Sequence, residues 1–164
     1  MLFNIIGFNI SWFGLVLLGE RFIPVVLLLL GLHFFFCKQP RVEFKLTLIV
    51  TVIGTLVDST LFFFDVLLFN DYLLPPFWLI MLWAAFAATI AHSLKFLAGS
   101  KVLQFFIGYI FPPLSYLAGA SLSSIELGYS QLITYLILAP IWAILIVLFF
   151  YLQERVYSQD VTYD

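Results

Sequence analysis

Residues 131–151 read QLITYLILAPIWAILIVLFFY, a run without one charged side chain. As a helix rising about 1.5 Å per residue, it reaches about 30 Å, the thickness of a bilayer's hydrocarbon core. The run is too long for a strand and too evenly apolar to keep one face in water. It is expected to cross a membrane. Working outward from it, polar punctuation divides the 164 residues into six apolar spans, at about 3–18, 22–37, 44–69, 77–98, 102–125 and 131–151. Gly19-Glu20-Arg21, Lys38-Gln39-Pro40-Arg41 and Asn70-Asp71 close the first three, and Pro75-Pro76 precedes the fourth. The expected fold is all-α: one integral-membrane domain over 1–164, a polytopic transmembrane bundle of about six helices.

Composition points the same way. The chain is 64% hydrophobic and 10% charged, with a mean hydropathy of +1.14. A soluble domain is about half apolar and a quarter charged. A soluble globular domain and a disordered chain are excluded, and so is a nucleic-acid partner, which demands a basic face. Orientation follows from Lys and Arg. Lys38, Arg41, Lys45, Lys95, Lys101 and Arg155 fall on one side of the expected membrane and only Arg21 on the other. By the positive-inside rule both termini are expected in the cytoplasm. No basic stretch precedes Leu2-Phe3, so the first apolar segment reads as retained rather than cleaved. Cys37 is the single cysteine and reads as inert packing at a helix end. Tyr72, Trp78 and Tyr157 read as interfacial anchors.

Helices in lipid pack through small residues. Ala84/Ala88 and Ala87/Ala91 provide such pairs in the fourth span, and Ser115/Gly119, Gly119/Ser123 and Ala120/Ser124 in the fifth. Pro112-Pro113 removes two backbone donors, and a kink or break is expected there, a candidate wall of a cavity.

Ionisable and polar groups inside a membrane are costly and mark candidate sites. At about 1.5 Å per residue, Asn9, His33, Thr51, His92 and Tyr109 fall about 6 to 10 Å from the cytoplasmic edge, one group from each of five helices. Asp58 lies deeper, near 20 Å on the same scale, level with Trp12 and Ser115-Tyr116. Tyr116, Trp12 or a carbonyl freed by Pro112 is expected to satisfy it. Asp65 shares the face of Asp58 nearer the outer interface. The candidate substrate-binding residues are thus Asp58, His92, Asn9, His33, Tyr109 and Tyr116. Lys95, three residues after His92, is a candidate headgroup contact. Asn4 and Asn9 are expected to bond helix to helix, and Glu43, among Lys38, Arg41 and Lys45, to be a solvated loop charge. No phosphate loop, HExxH, GxSxG or paired-Cys signature is present. His33 and His92 have no evident third ligand, so neither a metal nor a cofactor is expected.

Several stretches together resemble a family of proteobacterial inner-membrane proteins, domain of unknown function 2878. They are Pro75-Pro76-Phe77-Trp78-Leu79, Leu82-Trp83-Ala84-Ala85-Phe86-Ala87-Ala88-Thr89 and Ser93-Leu94-Lys95-Phe96-Leu97. Asn4, Asn9 and Trp12, His33, Glu43, Gly54 with Asp58, and Pro113-Leu114-Ser115-Tyr116-Leu117-Ala118-Gly119 extend the likeness over nearly the whole chain. The resemblance supplies no activity. It implies a place near membrane-lipid modification, with soluble lipid-modifying enzymes as partners beside the bilayer itself.

Three functions fit this reading. One is binding or moving an amphipathic, lipid-like molecule. The second is a membrane-embedded enzyme acting on acyl lipids, with His92 or Asp58 as acid/base. The third is a non-catalytic partner presenting its Lys38–Lys45 loop. The absence of a catalytic signature disfavours the second and the central Asp58 disfavours the third.

Overall fold

The computed structural model describes residues 2–69 and 74–160. Its helices are α1 (Leu2–Leu18), α2 (Ile23–Phe36), α3 (Pro40–Phe63), α4 (Phe77–Ile90), α5 (Lys101–Ser121) and α6 (Gln131–Asp160). A turn of 3-10 helix over Gly19–Phe22 joins α1 to α2 without a break, so the long helical stretches among the described residues number five. Four of these are long and apolar enough to cross a membrane: Leu2–Phe36, Pro40–Phe63, Lys101–Ser121 and Gln131–Ser158. α4 is the shorter apolar helix.

Leu2–Phe36 is not one straight rod. Gly19 adopts a left-handed φ of 56°, open to glycine without steric cost, and the chain reverses there. Phe22 then lies against Gly14, and Asn4 and His33 share one small cavity wall, so α1 and α2 run back to back. Proline at the first turns of α2 and α3 fixes φ where no donor is needed. Ser100 caps α5, its hydroxyl accepting from Leu103 N at 3.2 Å.

α4 occupies the middle of the bundle, against α1, α2, α3 and α6. The alanine run does what small residues do in such a setting: Ala84, Ala85, Ala87 and Ala88 are buried and let four neighbours close in. α5 pairs chiefly with α6. Their close approach is at Gly108, where an added Cβ meets the Trp142 carbonyl oxygen at 2.6 Å, rather than at the small-residue pairs around Gly119. Trp83 of α4 stacks on Trp142 of α6, centroids 4.9 Å apart and 7° from parallel. Large apolar side chains such as Phe35, Phe36, Phe63 and Val102 point outward.

The helices stop short of several of the apolar runs. The apolar run 44–69 is helical only to Phe63. Asp65 takes a φ of 54° in the turn that follows, so it no longer shares a helical face with Asp58. Leu67–Leu68 (β1) then pairs antiparallel with Glu126–Leu127 (β2), which also removes 122–125 from α5. The run 77–98 is helical only to Ile90, because turns and a short 3-10 segment take over at 91–97. α5 continues through Pro112 and Pro113 without breaking. Asn70, Asp71 and Tyr72 lie outside the described residues.

Candidate functional site

Asp58 is 0% exposed, and both of its oxygens are engaged. Oδ2 accepts from Trp83 Nε1 at 2.6 Å and Oδ1 from the Tyr116 hydroxyl at 2.8 Å, so one carboxylate joins α3, α4 and α5. Tyr116 is the partner expected from the sequence. Trp12 and the Pro112 carbonyl are not: Pro112 O accepts instead from Ser115 Oγ at 2.7 Å. Trp83 was not anticipated, yet Gly54 one turn before Asp58 carries its signal. The indole occupies the space a side chain at 54 would need.

Trp83 and Tyr116 also form the wall of a cavity of about 490 Å³, bounded by α1, α4, α5 and α6. Phe8, Trp12, Phe86 and Trp142 supply much of its apolar surface, and Asn9, Thr89, Ser93 and Ser115 its few polar groups. Asp58 stands behind this wall and holds the indole and the phenol in place. It is a positioning residue, not a lining one.

The layer of five polar groups is not assembled. Only His33 and His92 meet, with ring centroids 4.8 Å apart. The Asn9 amide donates to Ile5 O of its own helix at 2.9 Å. Thr51 Oγ1 is buried without a partner. Tyr109 lies against Phe105 on α5, its carbonyl accepting from the Tyr135 hydroxyl at 3.2 Å. Lys95 is exposed, and because α4 stops at Ile90 it shares no α-helical face with His92. Asn4 does join helices: its amide donates to Ala88 O at 2.9 Å while Ser93 Oγ donates to its Oδ1 at 2.6 Å.

Glu43 is not a solvated loop charge but 3% exposed. Pro40 starts α3 early, which places Glu43 in the first helical turn on the face of Leu46, Thr47 and Val50, all buried. There its Oε1 contacts His92 Nε2 at 2.8 Å and accepts a short bond from the Tyr157 hydroxyl, while Oε2 lies 3.5 Å from His33 Nε2. Tyr157, expected as an interfacial anchor, is part of this cluster. The reason for expecting no metal, a missing third ligand, therefore falls away. One ligand atom from each of His33, Glu43 and His92 lies within 4.8 Å of the others. Nearby Cys37 donates to Phe34 O at 3.4 Å, and burial, then the charge of Glu43, push its thiol pKa up, which disfavours the reactive thiolate.

The family model described as "Protein of unknown function (DUF2878)" matches residues 1–148. No curated protein and no solved structure matches the chain.

Proposed function

The chain belongs to the DUF2878 family, and we propose that it is a multi-pass inner-membrane protein that binds an amphipathic, lipid-like molecule between α1, α4, α5 and α6. The single observation that carries the reading is the aromatic cavity of about 490 Å³, within the range of sites that enclose small ligands. Its polarity is graded. Asn9, Thr89 and Ser93 gather toward the end of α1 and α4 that holds Asn4 and His92, whereas Val16, Phe69 and Ile125 line the opposite end. A molecule with one polar head and an apolar body fits that gradient. Asp58, through Trp83 and Tyr116, keeps the middle of the wall in one shape.

The topology that accompanies this reading has six crossings with both termini cytoplasmic. The reversal at Gly19 and the basic residues Lys38, Arg41, Lys45, Lys95, Lys101 and Arg155 support it.

The test is to purify the protein in a mild detergent and identify co-purifying lipids by native mass spectrometry. An acyl lipid retained at one per chain, and lost when Ser115→Phe fills the cavity, is the expected result. Equal retention by a folded Ser115→Phe variant refutes the cavity as its site.

A further inference from the structure

We propose that His33, Glu43 and His92 form a binding site for a divalent transition cation of the zinc class, separate from the cavity and independent of what the cavity holds. The donor set is two imidazoles and one carboxylate, the nitrogen and oxygen ligands such ions take. The geometry is close to what they need. Metal–ligand bonds of about 2.0–2.1 Å set tetrahedral ligand–ligand edges of about 3.3 Å. Glu43 Oε2 and His33 Nε2 are already 3.5 Å apart, and the full set lies within 4.8 Å. A contraction of at most about 1.5 Å along the longest edge, within the reach of side-chain rotation, completes the first shell.

A second observation singles out the gap between them. His33 Nε2 is buried with no hydrogen-bond partner, although a carboxylate oxygen stands beside it. A buried polar atom left unpaired calls for an explanation, and an unseen ion is one. Glu43 Oε2 has no hydrogen bond among those of the described residues, since His92 and the Tyr157 hydroxyl both contact Oε1. A cation between His33 Nε2 and Glu43 Oε2 satisfies both. His92 Nε2 completes the set by exchanging its contact with Oε1 for the metal.

The surroundings fit the role. The three ligands come from α2, α3 and the turn after α4, so one ion ties three segments together. The Tyr157 hydroxyl, from α6, holds the carboxylate by the bond an outer-shell partner makes. Arg41 and Lys45, neighbours of Glu43 in sequence, are exposed and lie on other faces of α3. Three protein ligands leave a fourth position open, and the imidazole of His92 is 32% exposed, so the cluster is not sealed from outside. Open zinc sites are the kind that bind a water or an anionic group.

The experiment uses the full-length protein in detergent, its affinity tag removed and the sample stripped with EDTA. Titration with Co²⁺ alone is expected to give one equivalent per chain, with the visible absorption of a four- or five-coordinate ion, and Zn²⁺ is expected to displace it. His33→Gln and His92→Gln are each expected to weaken binding by more than about 100-fold, since even outer-shell partners are worth 10- to 100-fold. Glu43→Gln is expected to do the same. Should Glu43→Gln fail to fold, the wild-type spectrum and the two histidine variants decide. No stoichiometric Co²⁺ or Zn²⁺ binding by the wild type overturns the proposal, and so does unchanged affinity in both folded histidine variants.

Discussion

Replacing Asp58 tests how the centre of the bundle is held. Asp58→Ala removes an acceptor that serves two donors, Trp83 Nε1 and the Tyr116 hydroxyl, in a place with no solvent to replace it. In soluble interiors an orphaned donor costs about 1–3 kcal/mol. Between membrane helices hydrogen bonds average about 0.6 kcal/mol and reach about 1.7. Two such bonds put the loss at about 1–3 kcal/mol, toward the upper end because a void is left as well. Asp58→Asn behaves differently. Its carbonyl still accepts from Trp83, while its amide donates to the Tyr116 oxygen once that hydroxyl rotates, so the cost is below about 1 kcal/mol. The assay is reversible unfolding by SDS titration in mixed micelles, run as a double-mutant cycle with Tyr116→Phe. In the Tyr116→Phe background Asp58→Ala is expected to cost less by about 0.6–1.7 kcal/mol, the share of the lost bond. Equal destabilisation by Asn and Ala, or no coupling to Tyr116→Phe, refutes the reasoning.

Other perturbations reach other parts of the bundle. Gly108→Ala sets a methyl against the Trp142 carbonyl, Ile146 and Ala143, and is expected to destabilise the α5–α6 pair by about 1–3 kcal/mol in the same assay. Ala88→Leu pushes α4 from its neighbours and disturbs the carbonyl that Asn4 uses, so a lower detergent melting temperature is expected, and an unchanged one places Ala88 at no contact. Alkaline phosphatase fused after Gly128 is expected to be active and after Arg155 inactive, and the reverse pattern inverts the topology. Tyr157→Phe is expected to keep one equivalent of Co²⁺ with affinity lowered about 10- to 100-fold, read by the same titration.

The apolar runs were legible because a helix that meets lipid leaves no polar gap in its sequence. The small-residue face of α4 was legible for a related reason: Ala84 and Ala88 lie one turn apart, where only close packing rewards small side chains. Asp58 announced itself by its expense, and Tyr116 by its depth. Glu43 stayed hidden because its neighbours Lys38, Arg41 and Lys45 suggest a wet loop. The signal against that was present, since Glu43 stands in helical register with Leu46, Thr47 and Val50 once Pro40 is taken as the first residue of α3. Asn9, Thr51 and Tyr109 do not join His33 and His92 because equal depth says nothing about which way a side chain faces around its helix. α2 and α6 are apolar all round, so periodicity gave no facing for them either. The early ends of α3 and α4 carried a faint signal, Asp65 after the first and His92, Ser93 and Lys95 after the second, but the apolar residues on either side of them continue each run without glycine or proline to mark a stop.

The shortness of α4 has a consequence for the membrane itself. Its 14 residues cover about 21 Å along the axis, against about 30 Å of hydrocarbon. A helix at the rim would meet this mismatch by thinning the bilayer or tilting. α4 has other helices about it instead, so the missing 9 Å or so falls to the turn at 91–97. Irregular backbone at such depth persists only where protein or water meets it. In the six-crossing topology proposed above, the turn at 91–97 is that irregular backbone: protein covers Ser93 and Leu97, and the half-buried imidazole of His92 is the polar group nearest the opening.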